Sequence, residues 1–261
     1  MRARQLAQRL PKPVPRPSHG GARAGAGRPR IHPRLDPKRP EQAHLARAPL
    51  VGRHPVHVVI RVVRELQGLR RRARYRAIHA ALATQLKRDD FRICHVSIQG
   101  THLHLIVEAN DQHALARGMR GFSIAAARRL NALVGRTGRA FTDRYHATQL
   151  QTPAQVRHAI AYVLNNWRKH GDDKTVVAGE IDPYSSARSF APWVKKLAAR
   201  GDRSVKYAEA ALPVATPVTW LLGVGWQRAG EVSWRGLPPT DSRPAAPPAA
   251  PRGRAPAARD R

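Results

Sequence analysis

Aromatic side chains are scarce in this 261-residue chain, at 5%. That is too few for a sheet that holds RNA by stacking bases on exposed rings. One cysteine, Cys94, is present and sits in an apolar run. It excludes an intramolecular disulfide and a thiolate-built zinc site, and suits a reducing compartment such as the cytoplasm. No run of about 18 apolar residues occurs, so a membrane-spanning helix is not expected. A long basic amphipathic helix with an aromatic face is missing too. Acids are few: 17 Asp and Glu stand against 47 Lys and Arg, a net charge of +30. This excess is far beyond what solubility requires. It marks a binder of polyanions, with nucleic acid as the first candidate and a nucleoid-associated location.

What is present is unevenly distributed. Residues 1–52 are dense in Pro, Gly and Arg, with Asp36 and Glu41 as the acids and no sustained apolar period. Such a stretch cannot bury enough apolar surface to offset its chain entropy, and is expected to be a disordered basic tail. No apolar core of a signal peptide follows the first residues. Within the tail, Gly27-Arg28-Pro29-Arg30 resembles an AT-hook core, in which an extended Arg-Pro-Arg enters a narrow minor groove; Arg28 and Arg30 are therefore candidate DNA contacts, against the plainer reading of a generic basic arm. Residues 240–261 form a second Pro/Ala/Arg tail, and residues 171–239 an appendage with short helices.

Residues 53–170 read as one α+β domain. His57–Val63 is β-branched and predicts a first strand. A helix is expected over Leu69–Leu86, where Tyr75, Ile78, Leu82 and Leu86 recur at helical spacing. Phe91–Gln99 predicts a second strand, and Gly100-Thr101 a tight turn into a third, making an antiparallel hairpin. A second helix is expected over 111–134, with Leu115, Met119, Phe122, Ala126, Leu130 and Leu133 on one stripe and Gly135 as its stop. Asp143–Leu150 predicts a fourth strand. The order β-α-β-β-α-β is the ferredoxin-like arrangement, an antiparallel sheet with helices on one face.

The third strand carries the most specific signal. In Gly100-Thr-His-Leu-His-Leu-Ile-Val-Glu108, alternation sends Leu103, Leu105 and Val107 to one face and His102, His104 and Ile106 to the other. The two imidazoles then project side by side, Cβ atoms about 7 Å apart, a workable bite for one metal ion. If the leucines face the helices, the histidines lie on an open sheet face. A third helix is expected over 153–170. Val156, Ile160, Val163, Leu164 and Trp167 make its apolar stripe, while Tyr162 and Asn166 share another side. A phenol and an amide would thus be presented together. If the stripe packs on its own domain, Tyr162 either faces away from its own histidines and serves a partner subunit's site, or reaches them when the helix swings back in a monomer; the sequence does not decide between the two.

These segments resemble those of the REP-associated tyrosine transposases. That group is related to the insertion sequence 200 class, within the HUH (histidine-hydrophobe-histidine) single-strand nucleases. The resemblance spans roughly residues 54–170: His54-Pro-Val-His-Val-Val-Ile-Arg61, the Gln99–Glu108 strand, Arg139-Ala-Phe-Thr-Asp-Arg-Tyr-His-Ala147 and Tyr162-Val-Leu-Asn-Asn166. It implies His102 and His104 as ligands of a divalent cation, Mg²⁺ or Mn²⁺, with Asn166 as third ligand and Tyr162 as nucleophile. Many relatives carry Gln or His where Asn166 stands, and Asn165 is adjacent. The resemblance further implies single-stranded DNA cleavage and rejoining at hairpin or REP-type sequences through a 5′-phosphotyrosine, by a monomer or homodimer. Asp182-Pro-Tyr-Ser-Ser-Ala187 and Trp220-Leu-Leu-Gly-Val-Gly-Trp226 also look like pieces common in this group.

Arg117, Arg120 and Arg128 on the second helix, and Arg144 beyond it, are the candidate DNA contacts of the folded part. His158, one turn before Tyr162, is a conceivable base, with a solvated histidine as the plainer reading. A different class stays open: a non-catalytic DNA- or RNA-binding protein derived from such a transposase. A two-histidine RNA phosphoesterase would need two separate His-x-Ser/Thr strands, of which the chain offers no convincing pair, and a zinc hydrolase would need His-Glu-x-x-His, which is not present.

Overall fold

The structure, a computed structural model, describes residues 49–169, 181–199 and 210–236. Four strands, β1 (Val56–Arg61), β2 (Phe91–Ile98), β3 (His102–Ala109) and β4 (His146–Gln149), form one sheet in the order β2-β3-β1-β4. Every neighbouring pair is antiparallel. With helix α1 (Arg72–Ala83) between β1 and β2 and α2 (Gln112–Leu133) between β3 and β4, this is the expected ferredoxin-like topology.

Alternation decides the layers. Val56, Val58 and Ile60 of β1, with Leu103, Leu105 and Val107 of β3, join Tyr75, Ile78, Met119, Phe122 and Leu130 of the two helices in one core. Helix α2 starts where Asp111 accepts a 2.7 Å bond from the Ala114 N–H, an N-cap that satisfies one orphan donor. It stops at Gly135, whose φ of +61° ends the helix in the left-handed region. Leu133, expected on the buried stripe, is 47% exposed at that frayed end. Leu86 is exposed for a related reason: α1 closes at Ala83, before the periodic pattern runs out. Gly118 is where α2 meets the sheet, since a Cβ there would fall 2.1 Å from the Phe91 ring.

The opposite face is covered, contrary to the open face expected from the sequence. Helix α3 (Pro153–Lys169) lies on it, over β2 and β3. Cys94 and Ile106 of the sheet pack with Val156, Ile160, Val163 and Leu164 of α3, with Phe190, with Trp193 of α4 (Ala191–Ala199) and with Trp226. The appendage is fastened by non-local bonds. Buried Asp182 receives both Nη atoms of Arg70, at 2.9 and 3.1 Å. Glu108 receives the Val218 and Thr219 N–H groups and the Thr219 hydroxyl. Along α3, Asn165, Arg168 and Arg157 bond the carbonyls of Ser233, Trp234 and Glu231. Gly225 is required under Trp220, whose ring would lie 2.7 Å from a Cβ.

The outer edge of β2 is covered as well. Ile98 donates to the Tyr184 carbonyl, Val96 to the Ser186 hydroxyl, and Ala215 to the Ile93 carbonyl. Between these straps the ladder to β3 slips, so that Cys94 is left without a partner in register, a β-bulge.

Candidate active site

β1 and β3 are central neighbours, so their outward side chains stand together. Val59 pairs with His104 and Arg61 with His102, and His57 lies diagonal to His104 on the same face. The result is a chain of three imidazoles. His102 Nε2 is 3.0 Å from His104 Nε2, and His104 Nδ1 is 3.2 Å from His57 Nε2. His102 Nδ1 in turn meets the Thr101 hydroxyl at 3.0 Å. His104 is 4% exposed. Burial holds His57 down at about 4, so it is neutral at physiological pH.

Two imidazole lone pairs cannot face each other at this separation unencumbered. Either a proton on one nitrogen or a cation shared by both lies between them. The flanking groups can accommodate the second case. An Nδ1–H of His104 donating to neutral His57, and an Nδ1–H of His102 donating to Thr101, leave both Nε2 lone pairs directed at one point. Two ligands at right angles on bonds of about 2.1 Å lie about 3.0 Å apart, matching the observed separation.

Tyr162 stands edge-on to this pair. Its ring centroid is 5.2 Å from that of His104 and 5.9 Å from that of His57. The stripe of α3 does pack on its own domain, yet Tyr162 faces the histidines of its own chain. The reason is that α3 is enclosed on more than one side: the stripe is buried with the appendage and β2, and the flank bearing Tyr162 overlooks β1 and β3. Asn166, one turn on, is fully buried, and neither amide atom has a hydrogen-bond partner. An unpaired buried amide costs about 1–3 kcal/mol, and its oxygen is a free donor atom on the tyrosine helix. Among the described residues no group of three or more His, Cys, Asp or Glu side chains is arranged to hold a metal. His57 lies behind His104, and the buried Asn166 amide is a candidate third ligand.

The other sequence-predicted residues fall elsewhere. Arg120 and Arg128 are exposed on α2, across the sheet from the histidines. Arg117 pairs with Asp90 at 2.9 Å, just before β2 and away from His102. Arg144 is exposed in the stretch before β4, whose Thr142 N–H donates to the Arg61 carbonyl; it therefore sits at the histidine end. His158 is exposed on α3, and the histidine that meets Tyr162 from outside the His-Leu-His strand is His57. Arg28 and Arg30 lie outside the described residues. Sequence reasoning missed the role of His57, although the alternation of β1 would have shown it once β1 was paired with β3.

Residues 51–166 match the profile of a family described as "Transposase IS200 like". This segment is thus similar to IS200-like transposases. It runs from the approach to β1 through Asn166 and includes all the residues of the candidate site. Among solved structures, the chain is similar to a REP-associated tyrosine transposase bound to a REP hairpin, at 17% identity and a TM-score of 0.45, over 66% of this chain and 95% of that one. It is also similar to a putative transposase from Deinococcus radiodurans, at 15% identity and a TM-score of 0.30, over 49% and 93%. No curated protein matches the chain. No helix among the described residues is long and apolar enough to cross a membrane.

Proposed function

We propose that this chain is an IS200-like transposase that cleaves and rejoins single-stranded DNA at hairpin or REP-type sequences through a 5′-phosphotyrosine. Tyr162 is the nucleophile, and His102, His104 and Asn166 are the residues that would hold Mg²⁺ or Mn²⁺. The observation that carries the reading is the Tyr162 ring edge-on to His104, whose Nε2 converges with that of His102.

Such a cation supplies charge neutralisation and alignment for the phosphodiester; the rest is done by the chain. Tyr162 Oη attacks phosphorus, the P–O3′ bond breaks, and the strand is held by its 5′ phosphate on the phenol oxygen. The phenol proton is released to water and the departing 3′ oxygen gains one. No oxidant, reductant or nucleotide is consumed, because the phosphotyrosine conserves the bond for rejoining. His57 and Thr101 act by fixing the ring orientation of His104 and His102. Asn166 rides on the same helix as Tyr162, so ligand and nucleophile move as one body.

The test is a denaturing gel. The full chain is incubated with Mn²⁺ and single-stranded oligonucleotides carrying imperfect palindromes with flanking sequence. A covalent protein–DNA adduct is expected, absent in Tyr162→Phe and reduced at least about 100-fold in His102→Ala. No adduct on any such oligonucleotide, with binding retained, would leave a DNA-binding protein without cleavage chemistry.

A further inference from the structure

We propose that Arg61 grips the phosphate on which Tyr162 acts, a positioning and charge-stabilising contact outside the histidine and tyrosine motifs. The proposal rests on the transposase reading above.

Arg61 is the last residue of β1 and the direct partner of His102 across the sheet. Because Val56, Val58 and Ile60 point into the core under α1 and α2, His57, Val59 and Arg61 point to the face of the imidazoles. Directly opposed residues have Cβ atoms about 4.5–5.5 Å apart. The arginine side chain is long enough to bring its guanidinium over the point where the two Nε2 atoms converge. The strand end is fixed on both sides: the Arg61 carbonyl accepts from Thr142 N–H at 3.0 Å, and Val62 donates to the Thr101 carbonyl at 3.0 Å.

An exposed arginine at a strand end is often a solvated one, and two observations argue otherwise here. No acidic side chain pairs with Arg61 among the described residues. Glu108, the acid on the same strand, is occupied at the far end by Val218 and Thr219. A divalent cation beside an uncompensated guanidinium would concentrate positive charge on one spot of the sheet. An anion carried in by the substrate offsets it, and a DNA phosphodiester is such an anion. The planar fork then donates to the non-bridging oxygens, where charge accumulates as the Tyr162 Oη–P bond forms and the P–O3′ bond breaks.

The experiment compares single-turnover adduct formation by the full chain on two oligonucleotides, one with a normal scissile phosphate and one with a neutral methylphosphonate there. On phosphate, Arg61→Ala is expected to slow adduct formation about 100-fold, with Arg61→Lys intermediate. On methylphosphonate, which has no charge to stabilise, the same substitution should cost less than about fivefold. Hairpin affinity should stay within about threefold, as expected for one phosphate contact among many. Binding of Mn²⁺ without DNA should not weaken, because removing a neighbouring positive charge favours the cation. Adduct formation by Arg61→Ala at the wild-type rate, or an equal loss on both substrates, overturns the proposal. A wild-type protein that forms no adduct on the phosphate substrate fails at the earlier step, removing the transposase reading and this contact with it.

Discussion

His95 shows how one side chain can set the response of this domain to acid. It lies on β2 beside the bulge, 6% exposed, with its Nδ1 unpartnered and its ring edge-on to Phe190. Burial pushes its pKa down to about 4, whereas in the unfolded chain it titrates near 6.5. Below about 6.5 the unfolded state takes up a proton that the folded state refuses, so stability is fully present above that pH and is lost as pH falls toward 4. The loss is on the order of 3 kcal/mol. Thermal unfolding at pH 7.5 and pH 5 should show a smaller drop for His95→Gln than for the wild type; equal drops would mean that another group carries the acid response. The candidate site was legible at this scale in proportion to local pattern. His102 and His104 follow from period-two alternation alone. His57 does not, because a single histidine on a β-branched strand carries no signal until the strand beside it is known. Tyr162 was legible as presented, but which histidines it meets was not: the angular position on α3 describes the helix alone, and the covering segments lie outside it.

At the scale of elements, the ferredoxin-like order followed from strand and helix periods because its contacts are short-range pairings and amphipathic faces. The cover over α3 did not follow, since it depends on partners such as Arg70 and Asp182, 112 residues apart. That pair has a measurable role. Asp182 also accepts the Tyr184 N–H at 3.0 Å, and the Arg70 guanidinium lies 4.4 Å from the centre of the Tyr184 ring. Asp182→Ala therefore leaves a half-buried guanidinium without its carboxylate and frees the strap over β2. Breaking such a pair should cost about 2–4 kcal/mol, read as a lowered urea midpoint at unchanged slope. An unaltered midpoint would show that the strap is held by Ser185 and Ser186 alone.

For the molecule as a whole, charge and fold divide the work. The net +30 supplies attraction to any polyanion, while under the proposed function selection falls to the site at the histidine end. Binding of a hairpin oligonucleotide should accordingly weaken by about 100-fold or more between about 50 and 200 mM salt, as a titration by anisotropy would show; a flat response would mean that few phosphates are neutralised. The covered edge of β2 has a consequence for how such a gene tolerates damage. Every candidate chemical group is encoded by residue 166, but the segments that occupy the free N–H and C=O groups of β2 come after residue 180. A frameshift or stop between the two would preserve the reacting residues and bare an adhesive strand. Such a lesion would be felt first as a protein that sticks to its own copies and is cleared, and only through that as lost activity.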